Sequence, residues 1–367
     1  MAERYAMTAA ADPGDLLALA LAGDDTAFAA LVRPHERQVF RHCYRMLGSG
    51  PDAEDAVQDA LERAWRRLAS YDGSGPFGAW LHRIATNVCL DMLRARRTRL
   101  SPAGLGPPAA PGSAPAPPDP ELAWVEPVSD ADLGGTGDPE HAVIRREEVS
   151  LAFVAALQCL PPRQRAALLL HDVLGFSHAE TAEVLAVSTP AVNSLLSRAR
   201  HTTRASPGPP QPDPADPRVR QLLERYVRAW QLADIEALVQ LVADDIRFSM
   251  PPLSTWFDGR DAVAEFISSA IFAAARPHGV TLKPGWCNGQ PAFATYEPDG
   301  AGQLAATGLQ ILQLDLVDGE PLITALVSYR DPAIATRCGL PAIINLEPVS
   351  EAVRDSRRGH HRAGHRR

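Results

Sequence analysis

Lysine is almost absent from this chain of 367 residues: of 36 basic side chains only Lys283 is a lysine, and the rest are arginine. With alanine and proline so common, this bias points to a GC-rich coding sequence. Cysteine is scarce too. Cys43, Cys89, Cys159, Cys287 and Cys338 are odd in number, widely spaced and form no CxxC pair, which excludes a disulfide framework and a zinc site and leaves buried thiols. No metal or cofactor is expected. No apolar run approaches the roughly 20 residues that a membrane helix needs, and Met1 to Ala11 lacks a basic flank followed by an apolar stretch. A cytoplasmic protein with no membrane contact is therefore expected. Overall positive charge is also missing. The net charge is −8, which at first opposes nucleic-acid binding, yet Arg94, Arg96, Arg97 and Arg99 cluster in one place and Arg198, Arg200 and Arg204 in another.

The length sets a prior of two or three domains. Two stretches break the helical texture, residues 101–139 and the segment SPGPPQPDPADP within 205–217. Fixed φ and missing backbone donors make proline-rich segments extended spacers, expected to separate domains without joining a core. They delimit an extension (1–23), a first block (24–100), a second (140–204), a third (218–335) and a basic tail (336–367) ending RRGHHRAGHRR.

The first block is helical. Gly50 and Pro51 open a helix with Asp52, Glu54 and Asp55 in its first turn, suited to the helix dipole. A second helix starts near Pro76, with Phe77, Trp80, Leu81, Ile84 and Val88 on one stripe and arginines at its end. In the second block, Ser177 and Glu180 form a capping box that starts a short helix. Ser188 or Thr189 can cap the next, with Pro190 in its first turn, so the pair reads as helix-turn-helix. The third block opens with two amphipathic helices, followed by the strand-like IRFSMPP, Ala306 to Leu316 and Leu322 to Arg330, an α+β pattern.

The segments DAEDAVQDALERAW and YDGSGPFGAWLHRIATNVCLDMLRARR resemble region 2 of extracytoplasmic-function sigma factors of the sigma-70 family. LPPRQRAALLLHDVLGFSHAETAEVLAVSTPAVNSLLSRAR resembles their region 4. The third block, with FDGRDAVAEFI, resembles the SnoaL-like branch of the cone-shaped fold shared with ketosteroid isomerases. The implied architecture is multidomain, with two all-α sigma domains and a C-terminal α+β cone. The implied function is promoter-specific transcription initiation with core RNA polymerase, without catalysis by this chain. The C-terminal domain is expected to regulate it.

The resemblance assigns three surfaces. Asp52, Glu54, Asp55, Gln58 and Asp59 would grip the polymerase; charge alone favours a solvated helix face, and the surrounding motif reverses that reading. Ala56 stands where the family usually has leucine. Tyr71, His82, Arg83, Thr86, Asn87, Asp91, Arg94, Arg96 and Arg97 would hold the melted minus-ten strand, while Phe77 and Trp80 are assigned to packing. Ser188, Thr189, Ala191, Asn193, Ser194, Ser197, Arg198 and Arg200 would face the minus-thirty-five duplex. Asn193 and Leu195 replace residues that are usually basic in the family. In the cone, Tyr226, Trp230, Trp256 and Tyr296 are candidates for a small-ligand pocket, with His278, Trp286 and Asp315 as further polar candidates. Two rival readings are a polymerase-independent helix-turn-helix regulator and a fusion with an isomerase- or cyclase-like enzyme domain.

Overall fold

A computed structural model describes residues 12–73, 75–95, 98–102, 106–134, 150–204, 212–275, 280–299 and 303–345. Arg96, Arg97, His278, residues 1–11 and the tail beyond 345 lie outside the described residues.

The first block holds α1 (Pro13–Leu21), α2 (Asp25–Val32), α3 (Glu36–Leu47), α4 (Gly50–Arg66) and α5 (Phe77–Ala95). Ser49 caps α4 by accepting from the Asp52 amide, and the helix buries Ala53, Ala56, Ala60 and Ala64. This stripe of small residues lets α4 lie close against α3 and α5. The extension expected over residues 1–23 is corrected in part. Leu16 and Ala20 of α1 are buried with Leu68, and Trp65, Phe77 and Trp80 pack beside them.

The second block comprises α6 (Leu151–Gln158), α7 (Pro162–Leu168), α8 (His178–Leu185) and α9 (Thr189–Arg204). Ser177 and Glu180 form the expected capping box at the start of α8. The helix ends at Ala186 with φ 49°, a left-handed conformation that glycine usually supplies. Val192, Leu196 and Ala199 turn α9 onto the core.

In the third block, α10 (Pro217–Leu232), α11 (Ile235–Val239) and α12 (Arg260–Phe266) accompany a sheet. Its strands are β3 (Val242–Ser249), β4 (Trp256–Asp258), β5 (Thr281–Cys287), β6 (Gln290–Pro298), β7 (Gln303–Val317) and β8 (Glu320–Tyr329), after a short pair, β1 (Arg99–Leu100) and β2 (Ala123–Trp124), in the interdomain segment. The order is β4-β3-β8-β7-β6-β5. The β3–β8 pairing is parallel and the other pairings along it are antiparallel. Hairpins at Asn288-Gly289 and Asp318-Gly319 have positive φ at both turn residues, as tight turns matching strand twist require.

The two sheet faces have different partners. Phe248, Phe293, Leu312 and Leu326 pack inward on Tyr226 and Trp230 of α10 and Phe266 of α12. Ala292, Ala294, Leu309, Ile311 and Tyr329 face outward and join one continuous core with the helices of the first two blocks.

Two boundary expectations therefore need correction. The segment 101–139 does more than space domains, because Trp124, Val125, Val128 and Leu133 are buried, the last three within that shared core. Its prolines favour extended backbone, but the apolar side chains between them have a sheet face to cover. The third domain also continues past Ala335. Asp331 caps α13 (Pro332–Arg337), Leu340 is buried, and β9 (Ile343–Asn345) pairs with β7.

Candidate nucleic-acid interface

On α4, Glu54, Asp55, Gln58 and Asp59 are exposed. Asp52 differs. It is half-buried and accepts from Arg99 Nη2 at 2.8 Å, while Arg99 Nη1 donates to Trp124 O at 2.8 Å and lies 3.6 Å from Glu126. Asp52 and Arg99 therefore anchor the interdomain segment to the first block.

The expected minus-ten surface divides. Tyr71 closes its loop by donating from its hydroxyl to Gly75 O at 2.6 Å, and its ring meets Phe77 at 5.3 Å and Trp80 at 5.5 Å. Arg83 is half-buried, and Asn87, Asp91 and Arg94 are exposed along α5. Asp91 pairs with Arg63 at 3.0 Å and Arg94 at 2.8 Å. His82 and Thr86 are not on that surface: they are 4% and 0% exposed. Thr86 Oγ1 donates to His82 O at 2.7 Å, His82 Nδ1 lies 2.7 Å from Gly78 O, and His42 Nε2 lies 2.8 Å from Thr86 Oγ1. Because α3 and α4 both pack on α5, its buried arc is wider than the apolar stripe read from its sequence. Burial holds His42 well below the ordinary histidine pKa and lowers that of His82.

The outward part of α5 borders a cleft of about 380 Å³ lined by Tyr71, Trp80, Arg83 and Asn87, with Arg63 and Arg67 of the preceding helix and its end. Its opposite wall is α8. Glu180 and Glu183 line it, and Glu183 pairs with Arg83 at 2.9 Å.

On α9 and at its start, Ser188, Thr189, Asn193, Ser194, Ser197 and Arg198 project from one side of the helix-turn-helix, with Ala191 half-buried among them. Arg200 makes a two-pronged contact with Asp172, at 3.0 and 2.6 Å. It braces α9 instead of standing free.

Residues not singled out in the sequence join the blocks. Arg165, 1% exposed, donates to Met46 O, Gln158 Oε1, Gln158 O and Leu160 O, and burial brings its pKa down to about 10. Gln158 Nε2 reaches Arg45 O at 3.1 Å. Asn288 is fully buried; its Oδ1 accepts from Val128 N at 3.0 Å and its Nδ2 donates to Tyr44 Oη at 2.9 Å. Tyr329 donates to Val125 O at 2.8 Å. The available signals were an arginine inside an apolar helix stripe and an Asn-Gly dipeptide between strands.

The four aromatic residues expected to share a pocket do not. Tyr226 donates to Gln310 Oε1 at 2.7 Å, and Tyr296 donates to Pro341 O at 2.7 Å. Trp256 lies on edge strand β4, where its indole donates to Gly106 O at 3.0 Å. Trp230 alone of the four lines a cavity of about 300 Å³ in the cone, with Gln310, Glu297 and Arg330. Asp315, its pKa raised by burial, is hydrogen-bonded to Thr324 and does not line this cavity; Trp286 is surface-exposed.

Residues 31–99 match Sigma-70 region 2, residues 150–202 match Sigma-70 region 4, and residues 223–319 match the SnoaL-like domain. The ECF RNA polymerase sigma factor SigG of Mycobacterium tuberculosis is 41% identical over 317 residues, covering 86% of this chain and 84% of the relative. SigJ of the same organism is 32% identical over 239 residues, covering 62% and 68% of the two chains. The crystal structure of Mycobacterium tuberculosis SigJ superposes with a TM-score of 0.52 at 25% identity, covering 83% of this chain and 97% of that one. Two helical sigma domains, the second a helix-turn-helix, and a C-terminal cone in this order, shared with a relative over most of its length, place the chain in the family of ECF RNA polymerase sigma factors that carry a SnoaL-like domain.

Proposed function

We propose that this sigma factor exists free in a closed form and opens when it directs core polymerase to a promoter. The exposed residues Glu54, Asp55, Gln58 and Asp59 of α4 contact polymerase. Tyr71, Arg83, Asn87, Asp91 and Arg94 hold the melted minus-ten strand, with Arg96 and Arg97 following in sequence. Ser188, Thr189, Asn193, Ser194, Ser197 and Arg198 face the minus-thirty-five duplex.

One observation carries the closed form: α5 and α8 touch through Arg83 and Glu183, within a core shared with the cone. The minus-ten and minus-thirty-five elements lie about 25 base pairs apart, roughly 85 Å at about 3.4 Å per step. Domains in direct contact do not span that distance. The outer sheet face of the C-terminal domain joins the core that both sigma domains share, which supports a regulatory role over a catalytic one. Its cavity beside Trp230 also suits a small ligand able to shift the balance between the two forms.

Transcription in vitro with core polymerase tests this reading, using the full chain and truncations after Arg204 and after Asn345. Specific initiation by the full chain is expected, with removal of the cone changing its level. Failure of specific initiation by all three on every native promoter overturns it.

A further inference from the structure

The cleft on α5 has the composition of a single-strand site. Arg63, Arg67 and Arg83 offer cations, Tyr71 and Trp80 offer aromatic surface, and Asn87 offers an amide. Its volume of about 380 Å³ is that of a small-ligand site. Anionic side chains of α8 already occupy its other wall, where Glu183 pairs with Arg83 at 2.9 Å. Glu180 is held in place by its capping contacts with Ser177, at 2.8 and 3.2 Å. The α8 helix is the supporting helix of the helix-turn-helix, so the acidic wall belongs to the domain that must move away when the chain opens.

We propose that α8 stands in for the nucleic-acid backbone: Glu180 and Glu183 wall the minus-ten cleft and Glu183 holds Arg83, so that the first helix of the helix-turn-helix and a single DNA strand compete for Arg83. The inference rests on the promoter reading above and adds a mechanism to it. The two DNA-binding domains inhibit each other directly. A free chain has low affinity for single strands, and region 4 uncovers the minus-ten surface by the same movement that carries it towards the upstream duplex. Competition is electrostatic at the shared cation, because a phosphate and a carboxylate both take guanidinium donors.

The test uses the full chain and a labelled single-stranded oligodeoxynucleotide of mixed sequence, with affinity read by fluorescence anisotropy at low salt. Glu183 is largely exposed and lies near the C-terminal end of α8, so Glu183→Gln and Glu183→Lys do not disturb the core, and lysine also suits that end of the dipole. Glu183→Gln is expected to tighten binding about two- to fivefold, the range of an exposed ion pair, and Glu183→Lys to tighten it further. Glu236→Lys on α11, also exposed, makes the same change in net charge on a different domain and is expected to alter affinity less than Glu183→Lys. Arg83→Ala in the Glu183→Lys background should remove the gain. Equal gains from Glu236→Lys and Glu183→Lys, or no gain from either Glu183 variant, overturn the proposal. Polymerase loaded with the wild-type chain provides the separate arm. If it fails to hold a melted promoter strand, the promoter reading itself fails; if it holds the strand while the Glu183 variants match wild type, only the competition is refuted.

Discussion

Removing the side chain of Asn288 should loosen the cone from the sigma domains without unfolding either. Asn288 is fully buried, accepts from Val128 N at 3.0 Å and donates to Tyr44 Oη at 2.9 Å. Its backbone has φ 56°. Glycine tolerates that conformation, so Asn288→Gly removes the side-chain hydrogen bonds without adding backbone strain. The Val128 amide is then left without its partner, and Tyr44 keeps its own donation to Glu126 O at 2.8 Å. A buried group left unsatisfied costs about 1–3 kcal/mol, and the second bond a further ~1 kcal/mol, so the closed arrangement should weaken by about 2–4 kcal/mol. At about 1.4 kcal/mol per factor of ten, the ratio of closed to open chains falls roughly 30- to 700-fold. Asn288→Ala should cost about 1 kcal/mol more, because alanine is strained at positive φ. Hydrogen exchange at residues 125–128 and the rate of proteolytic cleavage in 101–139 report the opening. If Asn288→Gly leaves both within twofold of wild type, the shared core is not held through this residue and the reasoning is wrong.

Acid should destabilise the first block. Burial keeps His42 and His82 neutral in the folded chain with lowered pKa values, so the unfolded chain binds more protons as pH falls below about 6.5, the ordinary histidine value. Full stability is present above that pH and is lost below it, by up to about 1.4 kcal/mol per pH unit for each histidine until its folded pKa is reached. Urea unfolding between neutral pH and about pH 5.5 should show this slope, and His42→Gln should flatten it. Arg198→Ala, at an exposed position on α9, should weaken duplex binding by the loaded polymerase and reduce the salt-dependence slope by about 1, whereas Arg200→Ala should chiefly lower region 4 stability through loss of the Asp172 contact. Ala186→Gly at φ 49° should raise the thermal midpoint, gaining up to about 1 kcal/mol from relief of the left-handed turn; an unchanged or lower midpoint would argue against strain there.

Features that depend on close neighbours along the chain are legible in the sequence. The capping box at Ser177 and Glu180, the start of α4 at Gly50-Pro51, the inward set Val192 and Leu196, and the hairpin around Asp318-Gly319 all rest on contacts within a few residues. So does the exposed acidic face of α4 at Glu54, Asp55, Gln58 and Asp59, because one helix face follows from spacing; Asp52 departs from it because its partner Arg99 lies 47 residues on. Periodicity does not assign the flanks of α5: His82 and Thr86 are polar and sit beside the apolar stripe, and only the packing of both α3 and α4 decides that they are core. Nor does the sequence show that the polar aromatics fail to share one pocket, since the partners of Tyr226, Tyr296 and Trp256 lie 84, 45 and 150 residues away.

The sequence by itself determined two helical blocks, the second ending in a helix-turn-helix, and a third α+β block, in that order, because caps, turns and helical spacing are local patterns; that these are sigma domains and a cone rested on resemblance. Only the tertiary structure decided that these are not three independent bodies. The outward sheet face of the cone is apolar, the segment 101–139 carries Val125 and Val128 to it, and Asn288, Tyr44 and Arg165 satisfy buried polar groups across the joins. Such pairings join residues more than 100 positions apart, and no local pattern encodes which distant carbonyl a buried side chain will meet.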